Sequence, residues 1–255
     1  MSLLVPTTLS QIRESGPLAV RAERIQKRYG SGGLSVTALD EVTLGVPDGR
    51  FLAVMGPSGS GKSTLLHCLA GLDRVSAGRV FIGEDALDGH NDRRLTRLRR
   101  ERIGFVFQAH NLLPSLTAAE NITLSLELAG GKAEADLLGQ IVELLGLGDR
   151  LRHRPAQLSV GEQQRVAVAR ALAGGPQVVF ADEPTGSLDS RSSAQLLGHL
   201  RTSVDTFEQT VVMVTHDPVA AAHADVVVFM ADGRVVDQLA NPTSALLLDR
   251  LKDDT

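Results

Sequence analysis

The sequence predicts an α/β fold with a mainly parallel sheet, a small antiparallel β part and an inserted helical part. First, the apolar run Phe51–Met55 leads through a glycine-rich loop into a helical pattern, which is the opening unit of a parallel α/β sheet. Second, apolar runs rich in valine recur in the last third of the chain. Third, leucine and isoleucine repeat at helical spacing between these strand-rich parts, so an inserted helical subdomain is the simplest interpretation.

The length of the chain fits one large domain. It has 255 residues, of which 43% are hydrophobic, enough for a sizeable core. We expect a loose N-terminal tail at residues 1–17 and a C-terminal tail at residues 246–255. The domain between them, residues 18–245, is expected to comprise the core with its antiparallel β part at about 18–108 and 174–245, and the helical subdomain at about 109–173.

The domain is expected to begin with strands. The pattern from Val20 to Val46 indicates short strands, with Gly30–Gly33 as a turn. Residues 93–102 contain six arginines and are expected to form a solvated helix face, with a place near anionic headgroups or a membrane partner as the alternative. Ile103–Phe107 indicates a strand that ends at Gln108.

The later elements also have recognisable signals. Thr117 and Glu120 have the T-x-x-E spacing of a capping box, which predicts a helix start. The apolar residues at helical spacing after it are Leu137, Leu138, Ile141, Leu144 and Leu145. Further strands are expected at Val178–Phe180, Val211–Val214 and Val226–Met230, and Asp232–Gly233 indicates a hairpin turn before Arg234–Val236.

Composition and charge exclude several classes of function. The net charge is −4, so the chain lacks the global basic field expected for binding nucleic acid. The single cysteine, Cys68, excludes an internal disulfide, is typical of a reducing compartment and is expected to be buried filler. No apolar run reaches the roughly 18 residues of a membrane-spanning helix, and the pattern of Met1–Ser10 predicts no signal peptide. Any membrane role is therefore expected to come through a partner.

The glycine-rich loop matches the pattern G-x-x-x-x-G-K-[ST] in full. It comprises Gly56, Pro57, Ser58, Gly59, Ser60, Gly61, Lys62 and Ser63, and Thr64 follows it in the helix. Glycines let backbone N–H groups converge on a polyphosphate, and the helix N-terminus adds partial positive charge. The pattern predicts that Lys62 reaches the β- and γ-phosphates and that the Ser63 hydroxyl binds Mg²⁺. By itself the loop indicates only a nucleotide and magnesium, because a kinase or a GTPase would have the same loop.

Two adjacent carboxylates end the apolar strand that contains Val178–Phe180. Ligands of parallel α/β sheets bind at the carboxyl ends of strands. Asp182 is therefore predicted to hold Mg²⁺, and Glu183 to accept a proton from attacking water. A solvated strand end is the alternative, which a phosphate loop on the same sheet disfavours.

A second helix start, at Leu158–Arg165, has the features of an anion site. Ser159 and Glu162 have capping-box spacing, and Gly161 keeps the backbone approachable. A helix N-terminus presents N–H groups to an anion. Because one phosphate loop already serves the nucleotide, the extra site makes sense if it closes on the nucleotide of another copy. An ordinary capped helix is the alternative.

Leu158–Gln164 resembles the signature motif of ABC ATPases, usually written LSGGQ. The stretches that agree with this family, in order along the chain, are Gly56–Ser63, Gln108, Ser159–Gln163, Asp182–Glu183, Ser187–Asp189 and His216. Together they cover about residues 20–240. On these residues the chain is identified as a member of the ABC family, which implies the fold of P-loop NTPases, with a RecA-like core, and the hydrolysis of ATP with Mg²⁺.

The resemblance implies a site shared between two copies of the chain. Ser159 and Gly161, with Glu162 beside them, are expected near the γ-phosphate held by the opposite subunit. Asp189 is expected at the dimer seam. ATP would then drive two chains into a homodimer, and hydrolysis would reset it.

The resemblance also implies roles within each copy. Gln108 is expected to sense Mg²⁺ and the attacking water and to report to the membrane partner. His216 is expected to bond the γ-phosphate and position Glu183. Tyr29, the only tyrosine, occupies the place of the aromatic residue that stacks on adenine, with packing inside a small sheet as the alternative.

Two residues depart from the signature. Val160 replaces the usual second glycine, and its side chain is expected to point away because Gly161 is the position of closer approach. Glu162 replaces glutamine and places a carboxylate near a phosphate. We expect it to weaken nucleotide affinity unless it turns inward as a cap. Activity is expected to survive both changes.

Several stretches resemble the ATPases that drive lipoprotein release, macrolide export and related permeases of the FtsX type. They are Gly56–Leu66, Gly71–Asp73, Gly104–Gln108, Asn111–Pro114, Ala181–Gly186 and Val214–Asp217. This branch implies a separate four-span permease as partner, and a cytoplasmic ATPase held by it at the inner face of the cell membrane. Leu112–Pro114 is either core or part of the groove that receives the permease.

Two other classes of function share part of this pattern. Soluble ABC ATPases of DNA repair or translation usually have a coiled-coil insertion or two nucleotide domains, and neither is predicted here. A regulatory complex that activates cell-wall hydrolases or senses antibiotics would share every motif. The sequence alone leaves this alternative open beside export or lipoprotein release, and it does not identify the substrate.

Overall fold

The computed structural model describes residues 17–30, 35–89, 92–128, 130–131 and 134–253. Residues 1–16 of the expected N-terminal tail and residues 31–33 of the expected turn lie outside the described residues. The described strands are β1 (Leu18–Tyr29), β2 (Val36–Pro47), β3 (Phe51–Met55), β4 (Ala77–Ile82), β5 (Asp85–Ala86), β6 (Ile103–Val106), β7 (Val178–Asp182), β8 (Thr210–Val214), β9 (Val226–Ala231) and β10 (Arg234–Ala240).

The described helices lie on both faces of the strands. They are α1 (Lys62–Leu69), α2 (Asp92–Arg102), α3 (Ala118–Leu128), α4 (Ala135–Leu144), α5 (Val160–Leu172), α6 (Ser190–Phe207), α7 (Pro218–Ala221) and α8 (Ser244–Asp253). Short 3₁₀ turns cover Gly148–Arg150 and Pro155–Gln157. None of the described helices combines the length and the apolar character needed to cross a bilayer.

The larger sheet has six strands in the order β10-β9-β3-β8-β7-β6. All neighbouring pairs are parallel except β9 and β10, which form the predicted hairpin. β8 lies between β3 and β7, with Val214 paired to Val54 on one side and to Asp182 on the other. The carboxyl ends of these three strands therefore lie side by side. The α/β fold class, with its mainly parallel sheet, is confirmed.

Alternate side chains of the central strands enter two different cores. In β3, Phe51, Ala53 and Met55 belong to one core, and Leu52 and Val54 belong to the other. This is the two-residue period of a strand that is buried on both faces. The helix α1 packs in the same core as Leu52, whereas α5 and α6 pack in the core with Phe51. The helices α1 and α5 therefore lie on opposite faces of the sheet.

The smaller sheet is antiparallel, with strand order β2-β1-β4-β5. It shares its core with α1 and with one face of the parallel sheet. The described residues between β6 and β7 are helical or irregular, with α3, α4 and α5 as their helices. We keep the division into core, β part and helical subdomain as a proposal.

The C-terminal tail expected at residues 246–255 is wrong for the part that the structure describes. Residues 244–253 form the helix α8, in which Leu247 is fully buried and packs into the core on the side of α7. Thr243 begins the helix, since its carbonyl accepts a hydrogen bond of 3.0 Å from the Leu247 N–H. Arg250 also pairs with Asp237 of β10. A single leucine facing the core is too small a pattern to separate a docked helix from a tail.

We expect Leu247→Ala to lower the free energy of unfolding by about 2–4 kcal/mol, because it leaves a cavity in the core. Leu246→Ala is the matched control. Leu246 is 52% exposed in the same helix, so its loss is expected to cost less than about 1 kcal/mol. Urea unfolding followed by circular dichroism measures both. Equal effects of the two changes would contradict the docking of α8.

Candidate active site

The glycine loop between β3 and α1 has a backbone that side chains would obstruct. Gly56 has φ of 153° and Gly61 has φ of 98°, both in the region that favours glycine. A Cβ on Gly56 would lie 2.2 Å from the Met230 carbonyl oxygen, and one on Gly61 would lie 2.4 Å from the Ala38 carbonyl oxygen. Conformation and close packing therefore both require glycine at these two positions, as the sequence pattern predicts.

The ammonium of Lys62 is held inside this loop. Its Nζ donates hydrogen bonds of 2.8 Å to the carbonyl oxygens of Gly56 and Pro57. Burial lowers the pKa of Lys62, and the carboxylates of Glu183 and Asp182 partly oppose that shift. An ammonium has three N–H donors, so one remains for an anion in the loop.

Ser63 and Asp182 meet across the end of the sheet. The Ser63 hydroxyl donates a hydrogen bond of 3.1 Å to Asp182 Oδ1. The other carboxylate oxygen, Oδ2, lies 3.5 Å from His67 Nε2. Hydroxyl and carboxylate oxygens are the ligands that Mg²⁺ prefers, and the pair lies beside the phosphate loop. These residues therefore fit a magnesium ion bound together with phosphate.

Glu183 contacts a different partner from that of its neighbour Asp182. His216 Nδ1 lies 3.0 Å from both carboxylate oxygens of Glu183. Glu183 has φ of 47°, a left-handed conformation that costs a non-glycine residue about 1 kcal/mol. Its N–H donates to the Val214 carbonyl oxygen at 3.0 Å, which holds the turn that separates the two acids.

Gln108 lies against the loop that follows Glu183. A Cβ on Gly186 would lie 3.0 Å from Gln108 Nε2 and 3.4 Å from the Glu183 carbonyl oxygen. Gln108 follows β6, which is the strand next to β7. The structure therefore brings Gln108, Glu183 and His216 together at one edge of the sheet.

Tyr29 lies near the start of α1 and is 44% exposed. Its hydroxyl donates a hydrogen bond of 2.7 Å to Asp73 Oδ2. Lys27 Nζ donates to Asp73 Oδ1 at 2.5 Å and lies 4.7 Å from the centre of the Tyr29 ring. Burial and the Asp73 carboxylate raise the pKa of Tyr29, and Thr64 and Lys27 oppose this shift. The ring is therefore fixed from one side but remains partly open to solvent.

Glu162 turns inward, as a cap of α5. Its Oε2 accepts a hydrogen bond of 2.8 Å from the Ser159 N–H, and its own N–H donates to Ser159 Oγ at 3.2 Å. Its Oε1 accepts a bond of 2.6 Å from Arg150 Nε. Arg150 and these cap bonds lower the pKa of Glu162 to about 2. The predicted capping box is confirmed, and the carboxylate is ionised but fully engaged.

The turn at residues 159–162, called the signature turn below, packs against the start of α6. A Cβ on Gly161 would lie 3.2 Å from Ser192 Oγ. Asp189 caps α6 by accepting bonds of 2.9 Å from the Ser192 N–H and 2.8 Å from the Ser192 hydroxyl. Val160 is 48% exposed, so its side chain points to solvent.

The phosphate loop and the signature turn do not meet within this chain. They belong to α1 and α5, on opposite faces of the sheet. No hydrogen bond or ion pair of the described residues joins Ser159, Gly161 or Glu162 to the loop at 56–63. Within the described residues, the phosphate loop and the signature turn therefore do not form one continuous site.

One buried residue behind the site, Gln164, has no recognisable signal in the sequence. Gln164 is fully buried, and its Nε2 donates to the carbonyl oxygens of Pro184 at 2.8 Å and Phe107 at 3.5 Å. It therefore links α5 to the loop after Glu183 and to the residue before Gln108. Its partners lie 57 and 20 positions away in the sequence, so no local spacing of residues predicts these hydrogen bonds.

The loop after Gln108 is held by two further polar residues. Arg170 donates to the carbonyl oxygens of His110 at 2.9 Å and Asn111 at 2.7 Å. Asn121 is buried and bonds both the N–H and the carbonyl oxygen of Leu113. Leu112 packs against the core, whereas Leu113 is 45% exposed. The core alternative therefore holds for Leu112, and the exposed Leu113 is not part of the core.

A phosphate loop after one strand of a parallel sheet, with carboxylates at the end of a second strand of that sheet, defines the class of P-loop nucleoside triphosphatases. The sequence model of the family described as "ABC transporter" matches residues 39–186, which is more than half of the chain. The chain therefore belongs to the ABC transporter family, and it is an ATP-binding, ATP-hydrolysing member of it. The recognition made from the signature and the phosphate loop is confirmed.

Similar proteins support this assignment. The chain is 44% identical to the macrolide export ATP-binding/permease protein MacB of Burkholderia pseudomallei (strain K96243) over 231 residues, which cover 89% of this chain and 35% of MacB. It is 46% identical to an uncharacterized ABC transporter ATP-binding protein of Thermotoga maritima over 213 residues, which cover 83% of this chain and 91% of that protein. The chain thus spans about a third of the length of its MacB relatives.

A solved structure has the same fold. It is the dimeric ATP-binding cassette MJ0796 in a post-hydrolysis state bound to ADP and Pi, with a TM-score of 0.79 and 37% sequence identity. The match covers 88% of this chain and 99% of that one. The ABC ATPase fold is therefore shown by sequence and by structure.

We expect Asp73→Asn to lower the pKa of Tyr29. The Asp73 carboxylate accepts a hydrogen bond from the Tyr29 hydroxyl and would repel a phenolate, so its removal favours ionisation of Tyr29. The charge of Lys27 also favours the phenolate and lowers the pKa further. Because Tyr29 is the only tyrosine and there is no tryptophan, tyrosinate absorbance reports on this one group. Asp249→Asn, at an exposed pair with Lys252, is the control. With the fold verified by circular dichroism at each pH, an unchanged midpoint for Asp73→Asn would contradict the contact.

Proposed function

We propose that two copies of this chain close on two ATP·Mg²⁺, that closure moves a membrane permease of the FtsX type, and that hydrolysis reopens the pair. One observation carries the proposal. The phosphate loop and the signature turn each lie at a helix N-terminus, which can attract an anion, but their helices pack on opposite faces of one sheet. A second copy is the simplest source of the missing half. The dimeric state of the similar cassette MJ0796 supports it.

The glycine loop binds ATP, and Lys62 supplies the positive charge for the β- and γ-phosphates. Backbone N–H groups of Gly56–Thr64 and the N-terminus of α1 surround the same phosphates. Ser63 and Asp182 would hold Mg²⁺, which supplies charge neutralisation for the transferred phosphoryl group. Tyr29 offers its exposed ring face to the adenine.

Hydrolysis is assigned to Glu183 as general base, positioned by His216. With Nδ1–H facing the Glu183 carboxylate, a neutral His216 has only an acceptor at Nε2. It can donate to a γ-phosphate through Nε2 only as the imidazolium. Gln108 lies beside the same loop and is assigned the sensing of the bound water and metal. Most of the acceleration would come from positioning and charge stabilisation.

The second copy would contribute Ser159 and Gly161 to the γ-phosphate, with Asp189 near the seam. The N-terminus of α5 is capped internally by Ser159 and Glu162. The exposed side chain of Val160 lies on the same turn, so this turn is accessible to another chain. Closure would therefore bury Val160 and bring two helix N-termini to one phosphate.

Coupling to a permease is proposed from the relatives and from one surface. The MacB relatives are named for macrolide export and combine ATP-binding and permease parts, which favours export over a purely regulatory role. The loop after Gln108 presents exposed Leu113 on a backbone fixed by Arg170 and Asn121. A permease bound there would place the chain at the inner, cytoplasmic face of the membrane. Lipoprotein release by the same kind of permease remains within this proposal.

We expect Glu183→Gln to retain ATP binding but to reduce turnover by about a hundredfold or more, because the general base is lost. The variant is expected to accumulate as an ATP-bound dimer, measured by light scattering after gel filtration, with phosphate release measured in parallel. Glu143→Gln, at an exposed position of α4, is the control. Unimpaired turnover of Glu183→Gln would refute the assignment of the base.

Mixing two inactive variants tests the shared site. Lys62→Ala removes phosphate binding and Ser159→Arg obstructs the signature turn, so each homodimer is expected to be inactive. A mixed dimer contains one intact phosphate loop facing one intact signature turn. ATPase activity should therefore reappear on mixing. A mixture as inactive as its components, or full activity of Ser159→Arg alone, would count against the two-chain site.

A further inference from the structure

Glu162 poses an electrostatic problem for the proposed dimer. It stands on the turn that, in the proposed function, meets the γ-phosphate of ATP held by the second copy. Ion pairing and capping keep its pKa at about 2, so it carries a full negative charge at neutral pH. Like charges facing each other across an interface cost affinity. A cap alone removes neither the charge nor its repulsion of phosphate.

Arg150 occupies the position that resolves this problem. Its Nε donates the 2.6 Å bond to Glu162 Oε1, while Ser159 occupies Oε2. It is the only basic residue that pairs with Glu162 among the described residues. The guanidinium is charged at every relevant pH, so the pair is neutral as a unit.

The backbone of Arg150 is fixed before any partner arrives. Arg150 ends the 3₁₀ turn Gly148–Arg150, and its N–H donates to the Leu147 carbonyl oxygen at 2.9 Å. Leu147 is fully buried in the core beside α5. His153 N–H donates back to the Arg150 carbonyl oxygen at 2.9 Å. The guanidinium is thus brought to Glu162 by an anchored segment.

We propose that Arg150 is a positioning residue of the shared site, which neutralises Glu162 so that the signature turn accepts the γ-phosphate of ATP bound to a second copy of this chain. The Arg150–Glu162 pair then does what a neutral glutamine at position 162 would do alone. This inference rests on the proposed function, and it assigns to Arg150 no contact with ATP in its own chain. Arg150 should therefore matter for dimerisation and not for nucleotide binding by the monomer.

The purely structural alternative is that Arg150 only anchors the start of α5. Glu162→Gln separates the two roles, because an amide oxygen keeps the cap on the Ser159 N–H but carries no charge. If charge is the issue, removal of Arg150 is harmful with Glu162 and harmless with Gln at 162. If anchoring is the issue, removal of Arg150 is equally harmful with either residue.

The experiment uses the full chain with Glu183→Gln, so that ATP is bound without turnover. ATP-driven dimerisation is measured by analytical ultracentrifugation, and nucleotide binding at low protein concentration with a fluorescent ATP analogue. Arg150→Ala is expected to weaken dimerisation by about tenfold or more and to leave monomer binding unchanged, because the partly buried Glu162 carboxylate then faces phosphate uncompensated. Arg150→Ala with Glu162→Gln is expected to recover dimerisation to within about threefold.

Arg152→Ala is the matched control. Arg152 lies two residues after Arg150, carries the same charge, is exposed, and forms no ion pair within the described residues. It is expected to leave dimerisation unchanged. Added salt should reduce the Arg150→Ala defect, since screening weakens an uncompensated charge.

Two results would overturn the proposal. One is an Arg150→Ala variant that dimerises normally, and the other is a double variant as defective as Arg150→Ala alone. If the parent Glu183→Gln chain shows no ATP-driven dimer at all, the proposed function fails and this inference fails with it. Normal dimerisation of the parent together with either overturning result removes only the role of Arg150.

Discussion

The parallel pairing of β8 with β3 on one side and β7 on the other is the constraint on which the site depends. It places the phosphate loop, the acids after β7 and His216 after β8 at adjacent strand ends. These strands are almost wholly buried, because their alternate side chains fill two cores at once. Their apolar character is therefore the cause of the close approach of Ser63 to Asp182 and of Glu183 to His216. A slip of one residue would exchange the two cores and misplace every one of these groups.

The same two-sided burial separates the two anion sites of the chain. Because α1 covers one face of the sheet and α5 covers the other, the phosphate loop and the signature turn lie apart within one chain, as the proposed two-chain site requires. Gln164 and Gln108 both contact the loop that follows Glu183, Gln164 at Pro184 and Gln108 at Gly186. The helix α5, which begins at the signature turn, is thus joined by a hydrogen bond of Gln164 to the loop that follows Glu183. This geometry is suited to a site whose assembly and chemistry must be linked.

The motifs that depend on backbone geometry were predictable from the sequence, and so was the fold class. Gly56 and Gly61 require special φ values, and Ser159 and Glu162 form a cap within one helical turn, so local spacing contains the information. Arg150 and Gln164 were missed because their partners lie far away in sequence or on another element. The helix α8 was missed because it docks by one buried leucine. The sequence raises the question of whether Glu162 faces phosphate or caps its own helix. The structure answers it through the contacts of Glu162 with Ser159 and Arg150.

Carboxylates near a polyphosphate site repel the phosphates unless hydrogen-bond donors or cations of the protein offset their charge. Asp182 accepts from Ser63 and lies near His67, Glu183 is paired with His216, and Glu162 is held by Ser159 and Arg150. In the first two cases the partner belongs to the proposed chemistry, since metal or water would bind where the acid already points. In the third case the proposed chemistry does not use the acid, so the proposed role of Arg150 requires its ion pair with Glu162 throughout the cycle. That difference agrees with the distances: Glu162 has a short ion pair of 2.6 Å with a guanidinium, whereas the contacts of Asp182 with His67 and of Glu183 with His216 are longer, at 3.5 and 3.0 Å.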